Sequence, residues 1–355
     1  MTGAEEANAP AMSVILVTPT GPRFLRRTVQ AMAAQTVADR IELIVVAPEP
    51  GARQALAPLL APFHSVIERA AGPIDNVDHA VGRAMPLASA PIIATIEDHA
   101  FPDADWAETV LEAYAGTDAV AVGSAMLNAN PHGMLSWSNI LLAYGQWSEA
   151  TPEGPIGWVS HHNGSFRRAA LEAFDPDEYW QWFTREGTIM QRLAANGGRF
   201  HFAPRARVRH LNPSNLRSTA QLRMDAGRLY AANRAEAEGW SPVKRAFYAA
   251  LGPAIPLLRY ARMRRDLFGK SPDVTEARHG PAMLVGLGFD ALGQMAGFLA
   301  GPGRARERLA TFEMDRLDHL DAHDRALFAP PDVPSEAPPD VPSGTPSEAR
   351  ADLAP

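Results

Sequence analysis

The chain has 355 residues, of which 46% are hydrophobic, so it is long enough for a large core and for more than one domain. Its net charge of −7 speaks against a nucleic-acid-binding protein, because such proteins usually carry a basic domain. Cysteine is absent, which excludes disulfides, zinc–thiolate sites and cysteine nucleophiles. A metal ion would need Asp, Glu, His or carbonyl ligands, a set that favours Mg²⁺ or Mn²⁺.

The N-terminal segment, residues 1–11, is predicted to be a flexible leader. It begins MTGAEEANAP and lacks the basic start and the apolar core of a signal peptide. The expectation is therefore a cytoplasmic protein.

From Ser13 to Met126 the chain alternates between strand and helix patterns. Apolar, β-branched runs predict strands at 13–18, 41–47, 64–70, 91–97 and 119–126. Helical spacing of apolar residues predicts helices at 24–35, 51–63, 74–88 and 103–115. Nearly continuous apolar strands that alternate with helices indicate a parallel sheet covered on both faces, which is an α/β fold.

Ligands of such sheets bind beyond the carboxyl ends of the strands. Polar residues follow three predicted strands there, at Pro19-Thr20, Pro48-Glu49 and Glu97-Asp98-His99. The first strand is not followed by G-x-G-x-x-G, and G-x-x-x-x-G-K-[ST] does not occur. Neither a dinucleotide site nor a P-loop is therefore supported.

Beyond residue 126 the strict alternation ends. Helices are predicted at 134–147 and 185–198, the second ending at a glycine. Residues 157–174 predict a strand or loop that leads into a helix. Residues 199–212 predict either two short strands or one bent strand.

Residues 213–328 are predicted to form a mostly helical region. Within it, 248–270 places apolar residues beside a cluster of Arg and Lys, and 282–301 is about as long as a membrane span. Asp290 and Gln294 would be costly against lipid, so a helix in the membrane plane or packed on protein is favoured over a spanning one. Basic residues beside apolar helices suit the anionic inner leaflet. The alternative is a helical subdomain packed on the core or on a second subunit of a homo-oligomer.

The tail, residues 329–355, is rich in Pro, Ser, Asp and Glu, and PPDVPS occurs twice in it. This composition cannot bury a core, so the tail is predicted to be disordered.

Several segments occur in the order and spacing of the family 2 glycosyltransferases: SVILVTPTGPRFLRRTVQAMAAQ, IELIVVAPEP, IIATIEDHAFPDADW, HHNGSFRRAALEAF and REGTIMQRLAANGGRFHFAPRARVRHLN. Over residues 12–212 the chain resembles a bacterial member of that family with the GT-A fold, a Rossmann-like, mostly parallel sheet flanked by helices. The segment FDALGQMAGFLAG resembles the helical extension of some bacterial members. The resemblance implies inverting transfer of a sugar from a nucleotide-sugar donor, usually linked to uridine or guanosine.

In this resemblance, Glu97-Asp98-His99 occupies the place of the family's Asp-X-Asp metal motif. The leaving diphosphate needs a divalent cation or equivalent positive groups. If Glu97 takes the first acidic position, His99 takes the second and becomes a ligand. If Asp98 takes the second, Ile96 falls on the first and one carboxylate is missing. In both alignments Asp98 is expected closest to metal and diphosphate; the alternative is a polar turn that closes a strand.

Two later residues complete the implied site. His210 stands where many GT-A enzymes place a further metal-coordinating histidine, so the expected ligands are Asp98, His99 and His210; the alternative for His210 is a surface histidine. Glu186 stands where the family commonly shows Glu-Asp before a helix, with Gly187 in place of the second acid. Glu186 is therefore the expected general base for the acceptor hydroxyl, or else a charge that favours a helix N-terminus.

Further donor contacts are implied. In HHNG, His162 and Asn163 could hydrogen-bond sugar hydroxyls. Arg83, on the helix before the fourth strand, could reach the base or a phosphate, or could lie on a solvated helix face. The residues that match the family's places for base and ribose are Pro19, Thr20 and Glu49.

The sequence thus predicts a glycosyltransferase dependent on Mg²⁺ or Mn²⁺, with a nucleotide-sugar donor and a glycan or lipid-linked acceptor. Its expected role is in bacterial surface polysaccharide synthesis, in the cytoplasm and in contact with the inner face of the plasma membrane. Gly187 and the irregular acidic motif motivate an alternative, a non-catalytic nucleotide-sugar or glycan-binding module with a decayed site. A nucleotidyltransferase ranks third, because TPTGPRFLRR lacks a basic Gly-rich phosphate loop.

Overall fold

The computed structural model describes residues 9–184, 188–268, 270 and 274–329. Over these residues the strands are β1 (Met12–Val17), β2 (Ile41–Ala47), β3 (Ser65–Ala70), β4 (Ile92–Glu97), β5 (Ala100–Pro102), β6 (Ala121–Asn128), β7 (Gly154–Ile156), β8 (Ser165–Arg167) and β9 (Phe200–His210). The helices up to β9 are α1 (Pro22–Ala33), α2 (Ala52–Leu60), α3 (Val77–Ala84), α4 (Trp106–Gly116), α5 (Met134–Tyr144), α6 (Arg168–Leu171), α7 (Tyr179–Thr184) and α8 (Thr188–Ala195). The later helices are α9 (Leu216–Ala237), α10 (Pro242–Ala250), α11 (Ile255–Leu267), α12 (Glu276–Ala300), α13 (Ala305–Phe312) and α14 (Ala322–Phe328).

The strands form one sheet in the order β3-β2-β1-β4-β8-β6-β9-β5, with β7 also paired to β9. The longer ladders, β3 to β2, β2 to β1, β1 to β4 and β6 to β9, are parallel. The shorter ladders, made by β5, β7 and β8, are antiparallel. The predicted α/β class, a mostly parallel sheet flanked by helices with further helices at the C-terminal side, is confirmed.

Apolar side chains bury both faces of the central strands. Val14 and Leu16 of β1 lie in one buried cluster with Trp106. Ile15, which points to the opposite face, lies in a second cluster with Phe166. Burial on both faces explains why these strands are almost continuously apolar rather than alternating.

Two details differ from a simple βα alternation. The short strand β8 lies antiparallel between β4 and β6, so the fifth predicted strand is not a neighbour of the fourth. Residues 199–212 form one strand rather than two, and it is irregular, because Ser124 pairs with Ala203 while Ala125 pairs with Arg207. Pro204 lies in the extra loop of this strand, where its missing N–H costs no ladder bond.

The C-terminal helices pack closely because of glycines. A Cβ on Gly293 of α12 would overlap the carbonyl oxygen of Met224 on α9. A Cβ on Gly227 of α9 would overlap the carbonyl oxygen of Asp290 on α12. The two helix backbones therefore touch, which only glycine permits at these positions.

Asp290 and Gln294 point into the protein. Arg259 of α11 donates to Asp290 at 2.7 Å, and the Gln294 amide donates to its other oxygen at 2.5 Å. Among the described residues α12 is the one helix long and apolar enough to cross a membrane, and 56% of its most apolar window is buried in protein. The domain boundaries at 11/12, 212/213 and 328/329 stay predictions.

Candidate metal and donor site

The candidate site lies at the carboxyl ends of β1 and β4. Val17 pairs with Glu97 on one side and with Val46 on the other, so the three central strands end at the same level. Beyond Glu97 the chain turns through Asp98 and His99 into β5. These ionisable residues therefore lie where parallel sheets bind ligands.

His210 joins this turn through the last strand. In the antiparallel ladder of β5 and β9, Ala100 lies opposite His210, and the Leu211 N–H donates to the His99 carbonyl at 3.0 Å. Two histidines 111 positions apart in the chain become neighbours in this way.

Glu97, His99 and His210 converge on one point. The two imidazole Nε2 atoms are 3.1 Å apart, and Nε2 of His210 lies 3.3 Å from Oε2 of Glu97. Nε2 of His99 lies 3.9 Å from Oε1 of Glu97. Ligands bound at about 2.1 Å from one divalent ion lie about 3–4 Å from one another, so this spacing fits a metal site.

The hydrogen-bond partners of the two rings set their tautomers. Nδ1 of His99 lies 2.9 Å from a carboxylate oxygen of Asp98 and so carries the proton. Nδ1 of His210 lies 2.9 Å from the side-chain oxygen of Asn212, whose amide nitrogen donates to Asn128. Nε2 of His99 accepts from Nη2 of Arg316 at 2.8 Å, and Nε2 of His210 lies close to both Nε2 of His99 and Glu97. The outer carboxylate and amide are the partners that metal-binding histidines usually have.

Burial and neighbouring charges set the pKa values of this group. Burial lowers the pKa of His99 well below its usual value, and Arg316 lowers it further, so the ring is neutral and can act as a ligand. Burial alone would raise the pKa of Glu97, but His99 and other nearby histidines outweigh it and hold this pKa well below the usual range. Burial raises the pKa of Asp98 to about 7, against the opposing effect of Arg316. Glu97 is therefore ionised at neutral pH.

A second group lies next to the first, around Asp78 in the first turn of α3. His161 Nε2 and His162 Nδ1 lie 3.9 and 3.8 Å from the same oxygen of Asp78. His162 Nδ1 also lies 3.4 Å from Glu97. Burial would lower the pKa of His162, but Asp78 and Glu97 raise it to about 10. His162 is therefore an imidazolium that links two carboxylates at neutral pH.

A small cavity opens beside this second group. Its polar wall is formed by Asp78, Glu97, His161, His162 and Asn163, together with Thr95. Its apolar wall is formed by Val17, Val77, Val81, Ile96 and Phe183. The cavity therefore lies directly over the carboxyl ends of β1 and β4, with one polar and one apolar wall.

Asn163 holds Glu97 in place. Its amide nitrogen donates to Oε2 of Glu97 at 2.5 Å, and its amide oxygen accepts from the Glu97 backbone N–H at 3.0 Å. Asn163 has a positive φ of 53°, and a Cβ on Gly164 would overlap the Ser160 carbonyl. This tight turn places the amide, which binds a protein carboxylate rather than facing an open sugar site.

The predicted metal ligands come together with one difference. His99 and His210, two of the predicted ligands, lie together, whereas the third member of the converging group is Glu97. Asp98 instead accepts from His99 Nδ1, on the far side of that ring. The geometry thus favours the alignment in which Glu97 and His99 take the two motif positions.

The remaining predicted residues lie outside this group. Pro19 and Thr20 follow β1, and Glu49 follows β2; Thr20 and Glu49 are exposed. Arg83 is exposed on α3. The nucleotide contacts assigned to them stay predictions. The expected base, Glu186, lies outside the described residues.

Several site residues were not foreseen. Asp78 and His161 were missed, although the His161-His162 pair at the start of HHNG was visible in the sequence. Arg316 was also missed: its Nη2 lies 2.8 Å from Nε2 of His99. Nothing in the local sequence around Arg316 marks it as a site residue, because it reaches the site by tertiary packing alone.

The comparisons with known proteins find matches among solved structures. No family model matches the chain, and no curated protein matches it. Among solved structures, the mannosyltransferase PcManGT from Pyrobaculum calidifontis, in complex with GDP-Man and Mn²⁺, is 16% identical with a TM-score of 0.45, covering 85% of this chain and 79% of that one.

A second protein, TarS from S. aureus, is 12% identical with a TM-score of 0.41, covering 54% of this chain and 34% of that one. Residues 1–349 of TarS in complex with UDP-GlcNAc give 14% identity and a TM-score of 0.44, covering 57% of this chain and 59% of that one. This chain thus spans about a third of the TarS chain. With TM-scores below 0.5, these similarities do not indicate the function of this chain.

Proposed function

We propose that the protein is a family 2 glycosyltransferase that moves a sugar from a nucleotide diphosphate donor to an acceptor hydroxyl, with inversion and with the help of a divalent cation. The observation that carries the proposal is the convergence of Glu97, His99 and His210 at the carboxyl ends of β1 and β4, beside a small cavity with one polar wall. The sequence resemblance over residues 12–212 supports the same activity.

Glu97, His99 and His210 would hold the cation, and a bound cation would neutralise the charge that grows on the leaving diphosphate. Two imidazoles and one carboxylate suit Mn²⁺ better than Mg²⁺, which prefers oxygen ligands. The proposed cofactor is therefore Mn²⁺. Asp98 orients His99, and Asn163 holds the Glu97 carboxylate towards the same point.

The other residues act on the sugar and on the acceptor. His162, an imidazolium at the cavity, is a hydrogen-bond donor for the oxygens of the donor. Inversion requires a single displacement, so one carboxylate must take the proton from the attacking hydroxyl. Glu186 is proposed as that base on the strength of the resemblance.

A glycan or lipid-linked acceptor of bacterial surface polysaccharide synthesis, reached at the inner face of the plasma membrane, is the finer proposal. Large apolar side chains are exposed on the C-terminal helices: Val243, Phe247, Leu251, Leu257, Leu258, Leu284, Val285, Leu292 and Leu299. The segment 242–270 carries seven basic residues and one acidic residue within a chain of net charge −7. An apolar face with a basic rim fits an anionic lipid surface.

A flotation assay tests this location. The protein should bind vesicles of phosphatidylglycerol and phosphatidylcholine more strongly than vesicles of phosphatidylcholine alone, and Leu257→Ser with Leu258→Ser should weaken binding. Flotation with neither vesicle, together with a dimer in sedimentation, would assign the apolar face to a second copy of the chain instead.

The activity is tested by a screen of UDP- and GDP-sugars for thermal stabilisation with and without Mn²⁺, because a ligand of the folded state raises the midpoint. The donor found should then be hydrolysed or transferred, and His210→Ala should abolish the Mn²⁺ dependence. The matched control is His132→Ala, since His132 is exposed and stacks on His323. Donor binding without hydrolysis or transfer would favour the non-catalytic binding module.

A further inference from the structure

Arg316 brings a positive charge from the C-terminal region into the candidate site. It begins a short 3₁₀ turn, Arg316–His319, between α13 and α14. Its side chain is 9% exposed, and its Nη2 lies 2.8 Å from Nε2 of His99, a residue 217 positions earlier. The site at the sheet edge is therefore built from both parts of the chain.

The guanidinium of Arg316 is incompletely satisfied. Nη2 pairs with the Glu313 carboxylate and contacts the neutral ring of His99. Its Nε is buried and has no hydrogen-bond partner among the described residues. A buried guanidinium normally has carboxylate or carbonyl partners for its N–H groups, so a free buried donor is a place for a ligand oxygen.

The contact with His99 conflicts with metal binding. The Nε2 lone pair of His99 accepts from Arg316, yet the same lone pair is the one that would coordinate a cation beside Glu97 and His210. One lone pair cannot serve both partners. Once a cation takes Nε2, the Arg316 guanidinium must release that atom, and it is then a positive group beside the cation with N–H donors free for another partner.

We infer that Arg316 is a diphosphate-binding residue of the active site: with the cation on His99, its guanidinium contacts the oxygens of the donor's diphosphate. The inference rests on the proposed function for its substrate. A guanidinium offers a planar fork of donors that matches paired phosphate oxygens, whereas Arg83, the cation predicted for this role, is exposed on α3.

Calorimetry with inorganic pyrophosphate in the presence of Mn²⁺ tests the inference on the full chain. Arg316→Ala should bind pyrophosphate about 10- to 100-fold more weakly, the usual loss for a hydrogen bond to a charged group. Arg316→Lys should recover part of the affinity, because it keeps the charge but not the fork. The control is Arg325→Ala, whose exposed guanidinium pairs only weakly with Asp318 at 3.9 Å, and it should bind like the parent.

Binding of Mn²⁺ alone, followed by electron paramagnetic resonance, separates this role from a structural one. Arg316→Ala should bind Mn²⁺ at least as tightly as the parent, because Nε2 of His99 is freed. The inference therefore expects weaker pyrophosphate binding without any loss of Mn²⁺ affinity. Structural damage to the site would instead weaken the binding of both.

Pyrophosphate binding that is equal in Arg316→Ala and the parent, or absent from the parent, would overturn the inference. So would a parallel loss of Mn²⁺ and pyrophosphate affinity in the variants. If the Ala variant does not fold, Arg316→Lys alone decides, with several-fold weaker pyrophosphate binding expected at unchanged Mn²⁺ affinity. A parent that binds pyrophosphate through Arg316 but neither hydrolyses nor transfers any nucleotide sugar would refute the proposed function and leave the anion site in place.

Discussion

The sheet part and the helical part of the molecule bury polar groups in opposite ways. In α12, the carboxylate of Asp290 is matched by Arg259 and Gln294, one partner for each oxygen. At the sheet edge, Nε2 of His99 lies 3.1 Å from Nε2 of His210, beside an ionised Glu97, and the buried Nε of Arg316 has no partner among the described residues. Matched groups hold a structure together, whereas incompletely matched buried groups are tolerated where a ligand supplies the missing partner.

Arg316 joins the two parts. It comes from the helical side of the chain, yet its contacts are with His99 of the sheet edge and with Glu313. Variants at the sheet edge should therefore change ligand binding, whereas variants in the helices should change the free energy of unfolding.

The largest effect is expected at Glu97. Replacement by Gln keeps the shape but removes the charge of the one carboxylate in the converging group, so Mn²⁺ affinity should fall ~100-fold or more, on the scale of a lost metal ligand. Titration with Mn²⁺, followed by calorimetry, measures it. Glu112→Gln is the matched control, because Glu112 is exposed and pairs with Arg205. Equal affinities of the two variants would remove Glu97 from the metal site.

A smaller loss is expected at the next residue. Asp98→Asn alters the group that orients His99 through Nδ1, and such outer partners are worth roughly tenfold in metal affinity. The same titration compares the two positions. If Asp98→Asn loses more affinity than Glu97→Gln, the alignment that makes Asp98 the ligand is the right one.

In the helical part, Gly293→Ala should destabilise the fold by about 1–3 kcal/mol, because the added methyl group overlaps the Met224 carbonyl and forces α9 and α12 apart. Gly288→Ala on the same helix meets open space and should stabilise it by about 0.5–1 kcal/mol through helix propensity. Urea unfolding measures both values, and Mn²⁺ affinity should not change. Destabilisation of the same size at both positions would refute the close helix contact.

The smallest effect is a pH dependence at His319, which stacks on Phe312. Burial, aided by Arg316, lowers its pKa from 6.5 to about 4. The unfolded chain therefore binds this proton first, so the contribution of the neutral ring is complete above pH 6.5 and is lost as the pH falls towards 4. The ring is partly exposed, and the contribution should be about 1 kcal/mol after solvent screening.

Unfolding in urea between pH 4 and 7 measures the contribution of His319 to the free energy of unfolding, as the difference between the parent and His319→Gln. The variant should lose less stability over that range than the parent does. Identical pH slopes would show that His319 is equally protonated in the folded and unfolded chains.

The predicted strands are confirmed where a run of neighbouring residues in the sequence shows a clear pattern. The apolar runs at 13–18, 41–47 and 91–97 became β1, β2 and β4, because strands buried on both faces must be continuously apolar. The strand-end position of Glu97-Asp98-His99 followed from the same pattern. The three-residue strands β5 and β7 were not predicted, and at 157–174, where β8 lies, the sequence left a strand or a loop open. Three residues offer too few side chains to show a period.

The sequence by itself determined the α/β class, the positions of the long strands along the chain and the edge of the sheet where the ionisable residues lie, because chain direction fixes where parallel strands end. Only the tertiary structure showed that Glu97, rather than Asp98, turns towards His210. It also brought Asp78 and Arg316 to that edge. Contacts between residues 111 or 217 positions apart leave no local pattern, so packing alone assembles the site.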